Sequence, residues 1–234
     1  MSKQVAIIGA SGAIGGALTQ LFLTHENITV HAFSRSPLET HKNLIHHTMD
    51  YSSDESIASC ADAIPPHSLD TIIVATGILH QDDYMPEKSL QQIQRNQFQH
   101  ILMVNTIIPS LIIKSFIAKL SKSTRSKFAL LSAKLGSISD NKIGGWHAYR
   151  ASKAALNMMI KNASIELRRE NKHAIIIGLH PGTVDSPLSK PFQSHVPKLF
   201  TPQECAEHLY QVIERLNHTH SGQCLSWSGD IIKP

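Results

Sequence analysis

Cysteine, charged residues, aromatic side chains and long apolar runs are all scarce in this sequence, and each shortage narrows what the chain can be. The three cysteines, Cys60, Cys205 and Cys224, are odd in number and far apart, which excludes a disulfide framework or a zinc knuckle and predicts reduced thiols. Only 17% of the residues are charged, and the 22 lysines and arginines are scattered, with no run longer than Arg168-Arg169. A nucleic-acid partner is therefore not expected, although a net charge of +4 suits an anionic small ligand. No apolar run approaches 18 residues, so integral membrane association is not expected either. The first apolar run is a few residues long and leads straight into a glycine turn, which does not read as a signal peptide; a cytoplasmic location is expected. Histidine breaks the pattern with 15 copies. They are not spaced as ligands beside an acid, so packed or solvated histidines account for them and no metal is expected.

What the chain has instead is alternation of strand and helix patterns. Apolar, β-branched runs at Gln4 to Ile8, Ile28 to Phe33, Leu44 to Met49, Leu69 to Ala75, Lys127 to Ser132, His173 to Leu179 and Gln223 to Trp227 read as strands. Helical periodicity occupies Ala17 to Phe22, Ser53 to Ala63, Ser89 to Leu120 and Tyr149 to Glu170, and Thr201-Pro202-Gln203-Glu204 is a capping box that opens a helix to Leu216. Pro109 is expected to bend the third of these. With 41% apolar residues and no linker, the expectation is an α/β single domain over 1–234, a doubly wound parallel sheet with helices on both faces.

Two stretches carry chemistry. After the first strand, Gly9, Gly12 and Gly15 lead into a helix: a tight turn, a close backbone approach to pyrophosphate and close helix packing, with Ser11, Ala13 and Ile14 lining the same ligand. The second strand ends in Ser34-Arg35, where a dinucleotide site selective for NAD(H) places an acid on the ribose hydroxyls; a guanidinium there suits a 2′-phosphate, so NADP(H) is expected in preference to NAD(H). Further on, Tyr149 and Lys153 lie four apart on a helix and share a face. An ammonium beside a phenol favours the phenolate, so Lys153 is expected to pull the Tyr149 pKa down toward neutrality, where it can act as a general acid or base.

Together these stretches make the chain resemble the short-chain dehydrogenase/reductase family over nearly its whole length, with a Rossmann-type fold. GILH (Gly77 to His80), PEKSL (Pro86 to Leu90) and LGSISDNKIGGWHAYRASKAALN are most similar to the branch holding bacterial C-factor-type cell-signalling proteins and insect sniffer-type carbonyl reductases. The resemblance implies a catalytic helix asparagine at Asn105, whose main chain holds a relay water. It also implies cofactor contacts from Asp50 beside the adenine, from Ala75-Thr76-Gly77 after the fourth strand, and from Pro181-Gly182-Thr183-Val184 along the nicotinamide. Lys153 would also bind the nicotinamide ribose. The loop from Pro187 to Pro197, with Leu188, Phe192 and Val196, would cover substrate.

One position departs from the family's pattern. The usual catalytic serine, three residues before the glycine matching Gly136, is Ala133. Ser132 should point to the opposite strand face, so Ser137 is expected to take the role by folding in with the Asp140 to Gly145 loop. The reading that results is an NADP(H)-dependent oxidoreductase interconverting a small-molecule carbonyl and an alcohol, with Tyr149, Lys153, Asn105 and Ser137 catalytic. Its alternative is a nucleotide-binding regulatory or signalling protein with vestigial catalysis. Surplus apolar positions on the helices Ser89 to Leu120 and Tyr149 to Glu170, which the family pairs across a two-fold axis, predict a homodimer or homotetramer.

Overall fold

Strand stretches apolar on both sides must be covered on both faces, and the computed structural model, which describes residues 2–234, places them in an eight-stranded, mostly parallel sheet. The strands are β1 (Lys3–Ile8), β2 (Ile28–Ser34), β3 (Leu44–Thr48), β4 (Thr71–Val74), β5 (Lys127–Leu131), β6 (Ile175–His180), β9 (Cys224–Ser226) and β10 (Ile231–Ile232). Their order is β10-β9-β6-β5-β4-β1-β2-β3, and β7 (Thr183–Val184) pairs with β8 (Leu199–Phe200) in a small separate ladder. Among the described strands only β10 runs antiparallel; it is two residues long, too short for a pattern in the sequence.

Alternate residues of each strand feed opposite cores. Ile7, Val30, Ile73, Ala129 and Ile177 meet helices α1 (Ala13–Leu23) and α6 (Pro202–Glu214) through Leu18, Phe22, Leu209 and Ile213. Ile8, Phe33, Val74, Leu130 and Ile176 meet α2 (Asp54–Asp62), α4 (Ile108–Phe116) and α5 (His147–Glu170) through Ile57, Phe116, Leu156 and Ile160. The capping box of α6 forms as expected, with Thr201 and Glu204 bonding each other's backbone N–H. All three cysteines are free and buried. The chain lays β2 and β3 to one side of β1, then returns to lay β4, β5 and β6 on the other. The crevice beyond the carboxyl ends of β1 and β4 is therefore the switch point where such sheets bind ligands.

The helix expected over Ser89 to Leu120 is broken into pieces. After a 3-10 turn at Leu90–Gln92 come α3 (Arg95–Leu102), a π-helical turn at Met103–Ile107, α4, and a 3-10 turn at Ile117–Lys119. Pro109 has no N–H to return to the carbonyl of Asn105, and the wide turn absorbs the missing bond where a simple bend was expected. By length and composition the run Arg95–Lys119 is apolar enough to cross a membrane, although polar residues interrupt it before 18 consecutive apolar positions are reached. Its apolar side faces the protein: Ile101, Ile112 and Phe116 are buried, the last two beneath the sheet.

Candidate active site

At the switch point the glycines do what the turn requires. Gly9 has φ +90°, and a Cβ on Gly15 would run into the Gly9 carbonyl, so α1 can start this close to β1 only without side chains. The Gly9 N–H is shared between the Phe33 carbonyl (3.0 Å) and the hydroxyl of Tyr51 (3.0 Å), which itself donates to Phe33. Around the turn lies a crevice of about 510 Å³ lined by Gly9, Ser11, Gly12, Arg35, Asp50, Tyr51 and Ala75 to Ile78. Hydrogen bonds from Ser52 and the nearby Arg35 charge hold the Asp50 carboxyl below its ordinary value. The Thr76 hydroxyl is buried without a protein partner. A helix N-terminus, bare backbone, an arginine at the crevice wall and an unsatisfied hydroxyl together fit a phosphorylated dinucleotide.

Three residues named with the cofactor set shape the turn instead of lining the crevice, Gly15 through the close helix packing expected of it. Ser34 is fully buried, with its hydroxyl donating to the Ser36 carbonyl (2.6 Å) and paired with His46 Nε2 (2.9 Å); it shapes the Arg35 turn from behind. Gly15 meets the backbone of Gly9, and Ala13 begins α1 without lining the crevice.

A second cavity, of about 230 Å³, adjoins the first through neighbouring residues of the same turns, Ile14 and Leu79. Pro181, Gly182, Thr183 and Val184 form one wall, Leu188, Phe192 and Val196 another, and Ser132, Ala133, Tyr149 and His180 its base. The loop expected to cover substrate thus lies on it. Among the described residues, no Asp, Glu, Lys or Arg lines this cavity.

Tyr149 reaches it from the first turn of α5. That helix is entered through Trp146 in the left-handed region (φ 50°) and is held from outside by Glu87, which is 1% exposed. The Glu87 carbonyl accepts from the Trp146 N–H (2.5 Å), and its carboxyl oxygens accept from the Ala148 N–H (3.3 and 3.4 Å), placing an acid at the positive end of the helix. Asn105 lies at 0% exposure in the π turn. Its amide holds both backbone groups of Ile78, accepting from N–H and donating to C=O at 2.8 Å, and donates to Ser152 Oγ (3.1 Å). One side chain therefore fastens the β4 turn to α5.

The Tyr149–Lys153 pair corrects the expectation on acidity. Lys153 Nζ is 5.8 Å from the centre of the Tyr149 ring and donates to the Leu131 carbonyl (3.0 Å). Both groups are buried, and desolvation dominates: it pushes Tyr149 up to about 12 and Lys153 down to about 8. At pH 7 the phenol keeps its proton and the amine its charge.

Ser137 is also corrected. Its hydroxyl accepts from the Asp140 N–H (3.1 Å) within its own turn, and it does not line the cavity. Ser132 does line it, although its hydroxyl is committed to Asn157 Oδ1 (2.6 Å) on α5. Ala133 packs against Tyr149 and Leu79, with a methyl group where a hydroxyl was sought. Tyr51, Glu87 and Asn157 had gone unnoticed. Asn157 could have been found by continuing the helix face one turn beyond Lys153; the other two reach their partners from loops.

An uncharacterized oxidoreductase of Schizosaccharomyces pombe is 26% identical over 254 residues, spanning 99% of this chain and 98% of that protein. The C-signal of Myxococcus xanthus is 30% identical over 126 residues, 54% of this chain and 72% of its own. Among solved structures, NADPH-bound carbonyl reductase from chicken fatty liver has the same fold, with a TM-score of 0.85 at 23% identity over 100% of this chain and 99% of that one. Residues 3–197, which take in the glycine turn, Asn105, Tyr149, Lys153 and the Pro181 to Val184 wall, match the model of the short chain dehydrogenases, and the chain belongs to that family.

Proposed function

We propose that this protein is an NADP(H)-dependent reductase of an uncharged, largely apolar carbonyl compound. The observation that carries the reading is a buried, protonated Tyr149 at the base of an apolar cavity that adjoins a nucleotide-shaped crevice. The bound nicotinamide supplies the hydride. Tyr149 donates its proton to the substrate oxygen, and its raised pKa favours the reducing direction because the acid form is the one present at neutral pH. Lys153, charged at pH 7, would hold the nicotinamide ribose. The Gly9 to Gly12 backbone and Ser11 would take the pyrophosphate, and Pro181 to Val184 the carboxamide. Asn105 acts through Ile78 and Ser152, fixing the β4 turn against the helix that carries Tyr149. The C-signal likeness and Ala133 support a second reading, a nucleotide-binding regulator in which turnover is residual.

Cofactor choice rests on Arg35, which lines the crevice where no acid ends β2. Arg35→Asp is expected to weaken NADPH by about 1.5–3 kcal/mol, roughly 10–150-fold, and NADH far less. Calorimetric titration of both cofactors reads this, and equal affinity of the unmodified protein for the two would refute the assignment.

We also propose that copies pair through the segment Ser89 to Leu120 and α5, where the π turn exposes Met103 and Ile107 and α5 exposes Met158, Met159 and Ile165. Light scattering at micromolar concentration should give a dimer or tetramer; a monomer would contradict it.

A further inference from the structure

Ala133 carries no hydroxyl and Ser137 turns to its own loop, so a second hydrogen-bond donor to the substrate oxygen must come from elsewhere in the cavity. We propose that it is His180, acting as a catalytic residue beside Tyr149. The inference rests on the reductase reading above and adds the group that polarises the carbonyl.

Its placement follows from strand register. Leu131 pairs with Leu179 across β5 and β6, so Ser132 and His180 stand side by side and leave the sheet on one face. That face continues Leu130 and Ile176 and is covered by α5, which brings Tyr149. Ala133, one residue past Ser132, leaves on the other face and packs on Tyr149, and all four residues line the cavity beyond the strand ends. Among the hydroxyls there, Ser132 commits its proton to Asn157, and Ser186 and Ser189 donate to the Val184 carbonyl. Thr183 belongs to the wall assigned to the carboxamide. His180 Nδ1, in contrast, is buried and has no protein partner.

A buried polar nitrogen without a partner is costly unless a ligand satisfies it. Burial, with Lys134 nearby, lowers the His180 pKa to about 4, so the ring is neutral at pH 7 and carries one N–H. Its chemistry is therefore hydrogen bonding without proton transfer. As negative charge builds on the substrate oxygen, the His180 N–H bonds it; the Tyr149 O–H bond breaks and that proton moves to the oxygen, while His180 keeps its own.

The test follows the best-reduced member of a panel of uncharged aryl and alkyl ketones with NADPH. His180→Ala should lower kcat about a hundredfold or more while NADPH affinity stays within about twofold, and His180→Asn, which keeps an N–H donor, should lose less. Adding Ala133→Ser to His180→Ala should recover at least about tenfold, because a hydroxyl then stands beside Tyr149. Turnover that survives His180→Ala within about threefold, or a loss of this size in Ser132→Ala instead, overturns the assignment. A second readout needs no turnover: in protein with 15N-labelled histidine and bound NADPH, the unreactive carbonyl N,N-dimethylbenzamide should shift the His180 ring resonances and bind at least about fivefold more weakly to His180→Ala. Unshifted His180 resonances at saturating amide would sink the proposal on their own. A parent protein that reduces no ketone would refute the reductase reading, and the ring resonances would then decide the role of His180 as a carbonyl ligand.

Discussion

Replacing Tyr149 by Phe is expected to lower carbonyl turnover by about 10²–10⁴-fold, the usual contribution of a positioned general acid, with NADPH affinity unchanged. The phenol is the one acidic proton that α5 presents to the cavity from a buried position, and the substitution removes it while leaving the ring, its packing on Ala133 and Leu79, and the first helical turn in place. The loss should fall on kcat more than on KM, because the proton is transferred in the transition state and only hydrogen-bonded before it. Steady-state kinetics on a reduced ketone, with calorimetry for NADPH, separates the two quantities. The same variant decides between the two readings. If a signalling activity of the parent persists in Tyr149→Phe while the parent itself shows no turnover, the protein is the regulator.

Lys153→Met should move stability and catalysis in opposite directions. Lys153 is 3% exposed, and its pKa is lowered from 10.5 to about 8 by burial. Because the folded value lies below the unfolded one, the charged amine burdens the fold fully below about pH 8, and the burden fades as the pH rises toward 10.5. Met has similar length and no charge, so at pH 7 the variant should gain about 1–3 kcal/mol, offset in part by the lost bond to the Leu131 carbonyl. That corresponds to roughly 2–10 °C in Tm for a chain of this size, and the advantage should shrink at pH 10. Turnover should drop about a hundredfold or more, since the ribose loses its cation and the phenol its charged neighbour. A variant that melts below the parent at pH 7 would show that the amine is better solvated than its burial implies.

How much of this was legible in the sequence depended on how local the determinant is. Parallel strands covered on both faces read as unbroken apolar runs, so β1, β2, β4, β5 and β6 could be found and their order argued. Gly9 and Gly15 announced the crevice because only glycine permits that backbone, and Tyr149 with Lys153 marked one face of α5 through a spacing that gained its meaning only beside that glycine turn. What failed was set by three-dimensional company. Ser137 had the right chemistry, but the Asp140 N–H two positions beyond Ile138 claims it. The acidity of Tyr149 turned on burial, which overrides a neighbouring charge that points to Leu131. The π turn at Asn105 was half visible, since Pro109 predicted a disturbance without saying which form it takes.

Glu87 lies far from Tyr149 in the chain, yet it holds the end of the helix on which Tyr149 sits. For protein engineers this alters what counts as an exchangeable module. The loop between β4 and α3 looks like a place to exchange sequence between members of the family, but a transplant that takes Pro86 to Leu90 from a donor also replaces the anchor of the recipient's α5. The safe unit of exchange is a loop that ends before Pro86, or one that carries the donor's Gly145 to Ala148 with it.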